Sequence, residues 1–561
     1  MNTAEFFVVT GVCSWIPGSR AEPVLGRALG PTRGPAPRND NRYIAGDRLR
    51  ILFFPQGFRA AAAWLKTPAG GVAALIFATL LARLLFASAL GLGIDESYMV
   101  AAGRTLQLSY FDHPPIAWWM AWAATHLTGS ESPVVVRLPF IALFAVTTFL
   151  MYRLTSDLFG PAAGLWAAVV LNLVPVFGIS SASWVLPDGP LLAALLGAAV
   201  CLIAALRSEG RVKWGWWLGA GMCAGLALCS KYSAVLTLIG AAGFLLTEPR
   251  SHRWLARPQP YAAGLVALVI FLPVLIWNAE NHWVSFLFQA GRAEEDFRPI
   301  GPITTLAGSA AFLLPWIWVP LVVSGFAALR RGPSDVERWL LVCLAVPPLL
   351  LFTAASLWGN VLFHWSAPGY LMLLPLLGDA ITRRWRTSRA VRVWLAGTAG
   401  FVVLGSTFFA SEVKFNWLPA VIGEFRLGKD PSLDMVDWTS LRDDLAERGL
   451  LDRRNLAVAA LRWSDAGKID YALGGRLPVI CLGPDAHQYG LVARQDDLVG
   501  VDVLIVTRAP FEKIVGQYWF LFDSIESIAP ATVLHAGHPA LQLNLILGHR
   551  LHKAADECCA S

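Results

Sequence analysis

Two adjacent carboxylates, Asp95 and Glu96, stand directly after a long apolar run, and a second polar pair, Asp112 and His113, follows in YFDHPP. Carboxylates at the margin of an apolar segment are costly unless they are paired or used. A positioned carboxylate can take a proton from a hydroxyl, and ammonium, guanidinium or imidazolium groups can hold an anion. Later segments supply such groups: Lys231 in CSKYS, Arg292 in FQAGR and His364 in FHWSAPGY. Lys231 has almost no loop around it, so it needs a carboxylate or phosphate partner. Asp188 lies in WVLPDGP, where simple turn chemistry is an equal reading. Glu294, Glu295 and Asp296 beside Arg292 read equally as a solvated charged loop, and His364 as an interfacial residue. Asp112, His113 and His364 have side chains that can bind a divalent ion, although their types alone name no metal.

These residues sit between segments that must position them. Eleven apolar runs lie near 69–92, 133–152, 162–180, 189–206, 214–229, 232–247, 259–277, 305–329, 339–357, 366–382 and 393–410. Each is about long enough to cross ~30 Å of hydrocarbon, the shortest only marginally. One set of intervening loops is rich in arginine, notably 207–213, 250–257, 330–338 and 383–392, whereas the other holds only Arg104, Lys231, Arg292 and Arg298. The basic set faces the cytoplasm. The N-terminus is then inside, and everything after Ala410 is outside. Loop 93–132, Asp188, Lys231, loop 278–304 and His364 all fall on the outer side. Pro114 and Pro115 pre-set the start of a helix near Ile116, and Trp118, Trp119 and Trp122 give it an interfacial face.

The flanking regions differ in character. Residues 1–66 are rich in Pro, Gly and Arg without periodicity, which predicts a disordered basic segment. A start codon placed too far upstream would also produce it. Residues 67–410 carry the apolar spans. From 411 to 561 charge rises, and short apolar runs (LAVAAL, LPVICL, VDVLIVT, ALQLNLIL) alternate with turns. A helix is expected over 437–449, with Trp438, Leu441 and Leu445 on one face. This segment reads as a small α/β domain on the outer face.

Composition excludes an ordinary soluble enzyme: 56% of the 561 residues are hydrophobic, only 15% are charged, and mean hydropathy is +0.53. The net charge of +6 comes largely from the inner loops, so it signals topology and not nucleic acid. The eight cysteines show no ligand-like spacing, which argues against a disulfide framework or a zinc site.

Taken in order, DESY, YFDHPP, PDGP, GLALCSKYSAVL, FQAGR and HWSAPGY resemble the GT-C glycosyltransferases of the protein O-mannosyltransferase-like group, glycosyltransferase family 39. The aminoarabinose transferases that modify lipid A are more distant cousins. The resemblance covers about 69–410. It implies a mainly α, polytopic fold and a periplasmic active face in a bacterial inner membrane. It also implies an inverting transfer of a hexose or pentose from a polyprenyl-phosphate donor to a lipid, glycan or protein hydroxyl. On that basis Asp95 is the general base, Glu96 assists or orients it, and Lys231 touches the donor phosphate with Arg292 as a second contact. Asp112 and His113 replace a Glu-Lys pair of the aminoarabinose transferases, so the role of that lysine does not transfer directly. A divalent ion is an open option. The competing reading is a transporter or flippase of lipid-linked sugars. Pseudo-symmetric halves and mid-membrane charges would mark it, and neither is found in the sequence.

Overall fold

In the computed structural model, residues 63–291, 297–422, 431–492 and 495–553 are described. Residues 60–561 form one compact unit. The expectation for segment 1–66 falls almost wholly outside the described residues.

The chain runs through α1 (Pro68–Ala89), α2 (Ile94–Ala102), α3 (Ile116–Thr128), α4 (Pro133–Phe159), α5 (Pro161–Leu173) and a π-helical segment, Val176–Ser181. It continues with α6 (Asp188–Arg207), α7 (Val212–Leu228), α8 (Ala234–Thr247), α9 (Pro258–Glu280) and α10 (Val284–Gly291). Then follow α11 (Gly301–Leu313), α12 (Pro315–Arg331), α13 (Val336–Ala355), α14 (Ala367–Trp385) and α15 (Arg389–Phe415). Proline opens several of these helices at the first turn, where its missing N–H costs nothing. Thr67 caps α1 by accepting from the Gly70 amide. Small residues let helices approach closely. A Cβ on Gly221 of α7 would lie 2.3 Å from the Ala263 carbonyl of α9.

Six of the helices described are long and apolar enough to cross a membrane, or seven if one bent pair counts as a span. That pair departs from the expected straight run 305–329. Leu314 adopts φ +68°, Pro315 starts a new helix, and α11 and α12 meet at 112°. The runs at 162–180 and 232–247 become shorter helices of 13 and 14 residues, the first because the π-helical segment interrupts it.

The C-terminal part adds α16 (Thr439–Glu447), β1 (Leu456–Ala460), α17 (Trp463–Leu473), β2 (Val479–Cys481), β3 (Asp502–Thr507), α18 (Phe511–Tyr518), β4 (Phe522–His535) and β5 (His538–Leu551). Their sheet runs β2-β1-β3-β5-β4, parallel among the first three strands and antiparallel at β3/β5 and β5/β4. The four apolar runs read as strands form β1, β2, β3 and β5. Strand β4 was not anticipated, because polar residues and Pro530 break up its apolar positions and most of its side chains are exposed. Its register with β5 is set by a tight turn in which Ala536 and Gly537 both take positive φ.

The sheet and the first loop share a core. Leu92, Tyr98, Trp118 and Phe140 pack in one cluster with Leu441, Val458, Ile469 and Leu504. Helix α17 lies so close to α2 that a Cβ on Gly467 would sit 2.7 Å from the Tyr98 Cα.

Candidate active site

Helix α2 presents two neighbouring acids in opposite directions. Glu96 closes a capping box by accepting from the Gly93 amide at 2.9 Å. The same carboxylate takes the Arg137 Nε at 2.8 Å, its Nη2 at 2.5 Å and the Val185 amide at 3.1 Å. Arg137 spends its remaining donors on the carbonyls of Ala87, Leu90 and Gly91. Every oxygen of Glu96 is therefore occupied, and the residue orients α2. Asp95, one position earlier, opens into a cavity of about 300 Å³. Its side chain is reached by solvent, yet protein surrounds the recess. Restricted hydration first, then the charges of Asp112 and Glu96, push its pKa up to about 6, with Lys231 opposing them. A carboxylate with that pKa is ionised at neutral pH and still basic enough to accept a proton.

The same cavity is lined by Asp112, His113, Asp188, Lys231 and His364. The sequence separates them by up to 252 positions; the fold brings them together. Asp188 is the first residue of α6, and Lys231 follows the end of α7. The Lys231 Nζ donates to both Asp188 oxygens at 3.0 Å, which supplies the carboxylate partner the sequence demanded. Both side chains are about 90% buried from solvent. His364 lies in the short turn Phe363–Ser366. Asp112 accepts from the Tyr98 hydroxyl at 2.5 Å, and its backbone carbonyl accepts from Gln289 of α10 at 2.7 Å. Arg292 lies outside the described residues. Among the described residues, no three His, Cys, Asp or Glu side chains are grouped to hold a metal ion. Asp112, His113 and His364, the three metal candidates, line one cavity.

The C-terminal domain contributes residues that sequence reasoning did not single out. His487 Nδ1 lies 2.5 Å from Asp112 Oδ1, in ion-pair contact without hydrogen-bond alignment, and its Nε2 lies 2.9 Å from Asp485. The imidazole stacks on Trp463 at 4.8 Å. Trp184 and Trp463 line the cavity beside Asp95. The Phe111 amide donates to Gln488 Oε1 across 377 positions of chain. No spacing links such distant residues; the isolated histidine in the turn sequence GPDAHQYG was the only signal. The π-helical segment brings Val176, Ser180 and Ser181 to the cavity. It is held from behind by the buried Arg83, which donates to the Gly178 carbonyl and to Asn172. Such interruptions cluster at functional sites.

A larger recess, about 690 Å³, lies among Arg207, Arg250, Arg253 and Arg331 at the far end of α6. Twenty residues of helix separate the two ends, roughly 30 Å. None of the acids or histidines singled out above reaches it; they gather at the smaller cavity.

Residues 112–277 match the family described as dolichyl-phosphate-mannose-protein mannosyltransferase. The lipid A galacturonosyltransferase RgtD of Rhizobium johnstonii is 24% identical over 57% of this chain and 67% of its own length. The undecaprenyl phosphate-alpha-4-amino-4-deoxy-L-arabinose arabinosyl transferase 1 of Sodalis glossinidius is 29% identical over 46% of this chain and 48% of its own. The chain thus spans about half to two thirds of these relatives. The crystal structure of ArnT from Cupriavidus metallidurans bound to undecaprenyl phosphate superposes with a TM-score of 0.59 at 14% identity, covering 85% of this chain and 98% of that one. Its apo form gives 0.58. The matched family, the named transferases and the shared ArnT fold support a glycosyltransferase of the GT-C type.

Proposed function

We propose that the chain moves a sugar from a polyprenyl-phosphate donor to a hydroxyl of a lipid or glycan acceptor, with inversion, on the periplasmic face of a bacterial inner membrane. Proteins can also present such hydroxyls; the named relatives favour a lipid or glycan. One observation carries the reading. Asp95, with a raised pKa, shares a cavity with the buried Lys231–Asp188 pair and with His113 and His364. The base and the cations that such a displacement requires are thereby in one place.

In the reaction, the acceptor oxygen bonds to the anomeric carbon while the bond from that carbon to the phosphate oxygen breaks. The electron pair leaves on the phosphate, and the acceptor proton passes to Asp95. Positive charge develops at the sugar and negative charge on the leaving phosphate. Lys231, with His364 and His113 nearby, stabilises the latter as it forms. Asp188 holds the ammonium in place, and Glu96 fixes the helix that carries Asp95. The Asp112–His487 contact adds an imidazole to the wall. The ArnT structure with undecaprenyl phosphate and the arabinosyl transferase name support the donor class.

The arginine-rich loops support an inside N-terminus, and the shorter helices complete eleven crossings, with 67–410 as the membrane domain and 411–561 as the periplasmic domain. The decisive experiment is transfer in detergent from an undecaprenyl-phosphate sugar by the full chain and by Asp95→Asn. Loss of transfer with an unchanged melting temperature supports the assignment. Normal transfer by the variant removes Asp95 as base.

A further inference from the structure

The recess at the far end of α6 takes no part in the proposed reaction and has chemistry of its own. Four arginines line it, Arg207, Arg250, Arg253 and Arg331, together with three carboxylates, Glu248, Asp335 and Glu337. Two of the acids are engaged: Asp335 pairs with Arg331 at 3.2 Å and Arg338 at 2.5 Å, and Glu337 lies 3.3 Å from Arg207. Glu248 differs. It is 2% exposed, and its carboxylate accepts from the Arg250 amide at 3.1 Å but makes no ion pair among the described residues. It also stands at the C-cap of α8, where the helix dipole already concentrates negative charge and the last turn holds no basic residue. A buried carboxylate in that position calls for a cation. Arg250 and Arg253 are the converse case: both are exposed, and neither makes an ion pair among the described residues, Arg253 resting over the Trp254 ring at 5.8 Å. Ile203, Phe244 and Leu340 give the recess an apolar side.

We propose that this recess binds a membrane phospholipid whose headgroup carries both a phosphate and a protonated amine, as in phosphatidylethanolamine. The ammonium donates to Glu248, and Arg250 and Arg253 take the phosphate by charge-assisted hydrogen bonds. The apolar side receives the glycerol and the first methylenes of the acyl chains. Four arginines and three acids leave the recess close to neutral, with unpaired charge of each sign at separate points. That suits a zwitterion better than a polyanion. Position selects a lipid over a soluble phosphate. Arg207 is the last residue of a 20-residue helix long and apolar enough to cross a membrane, so the recess lies at the depth of the headgroups. A soluble phosphate would leave the apolar side bare. The arginine-rich loops around the recess put it in the inner leaflet. The assignment takes nothing from the sugar-transfer reading and stands or falls apart from it.

The test titrates the full chain in detergent with phosphatidylethanolamine, phosphatidylglycerol and phosphatidylcholine of matched acyl chains, and counts bound lipid by native mass spectrometry. The unmodified chain should hold phosphatidylethanolamine about tenfold more tightly than the other two. Phosphatidylglycerol has no amine, and the quaternary ammonium of phosphatidylcholine has no proton to donate. Glu248→Gln should erase the preference. Arg250→Gln/Arg253→Gln changes two exposed side chains and should weaken all three lipids about 10–30-fold. Lys231→Met alters the other cavity and should leave the ranking as it was. Equal binding of the three lipids by the unmodified chain overturns the proposal. So does a preference that survives Glu248→Gln, an arginine variant that binds as the unmodified chain does, or a ranking lost in Lys231→Met. Should Glu248→Gln fail to fold, the ranking by the unmodified chain and the arginine variant still decide. Water-soluble glycerophosphoethanolamine that displaces the lipid at equal concentration also overturns it, because the ligand is then a soluble phosphate.

Discussion

The molecule holds two buried carboxylate–cation pairs near α2, and they do different work. Glu96–Arg137 is sealed: its two side chains are 2% and 1% exposed, and all of their hydrogen-bonding capacity goes to each other and to backbone groups. Asp188–Lys231 is nearly as buried but borders a cavity, where His364 and His113 also act on the Asp188 carboxylate. Burial of charge by itself does not mark a functional pair. What separates the two is whether the ammonium or guanidinium keeps donors that a ligand can reach. By that criterion the proposed function assigns the Lys231 pair to a substrate, whereas the Arg137 pair serves the fold.

Substitutions can break or sharpen this contrast. The largest effect is expected at the acid between the pairs: Asp95→Asn should cost about 10²–10⁴-fold in kcat, with no loss of thermal stability, because the raised pKa means that the ionised carboxylate does not stabilise the fold at neutral pH. Arg137→Met should leave Glu96 buried and unpaired and lower stability by about 3–5 kcal/mol, read as a fall in melting temperature before any assay is run. Lys231→Met should instead act on the donor. We expect undecaprenyl phosphate to bind about 10–100-fold more weakly, with a smaller loss of stability than Arg137→Met produces. If the two variants lose stability and donor binding in the same proportion, the distinction drawn above fails.

The smallest effect is in the pH profile. Asp95 must be ionised to act as base, so activity should fall about tenfold per unit below pH 6, the value to which burial and its acidic neighbours raise it. On the alkaline side, Lys468 of α17 is pushed down to about 8 by burial. Its ammonium donates to the carbonyls of Leu92, Asp434 and Val436 at 2.5, 2.8 and 3.0 Å. A neutral amine has one donor fewer, so this three-way contact weakens above pH 8 and activity should decline there. The linked stability has the opposite sign. Between about pH 8 and 10.5 the unfolded chain binds the proton more tightly, so this group's contribution to stability rises with pH. Lys468→Met should flatten the alkaline limb and leave the acid limb in place.

Much of the site was legible because charge stands out against apolar sequence. Lys231 without a loop had to have an anionic partner, and the partner is Asp188. The acids of the first loop also declared themselves. Which of them faces the cavity was not legible, since that depends on Arg137, 41 positions downstream on another helix. His487 and Trp463 were invisible for the same reason at greater range. In the fold, apolar periodicity located the helices and four strands. It missed the 112° bend at Leu314, which is a backbone choice at one residue, and strand β4, whose apolar positions are broken up by polar residues and Pro530 and which pairs with β5 nonetheless.

The lysine contact at Leu92 has an evolutionary reading as well. The helix bearing Asp95 is tied by its entry point to a side chain encoded almost four hundred codons later. Swapping the soluble portion between related transferases would cut that tie. Chimeras should fail unless helix α2, Lys468 and the backbone around 434–436 are exchanged as a set, so new acceptor preferences would arise more readily by point substitution than by shuffling domains.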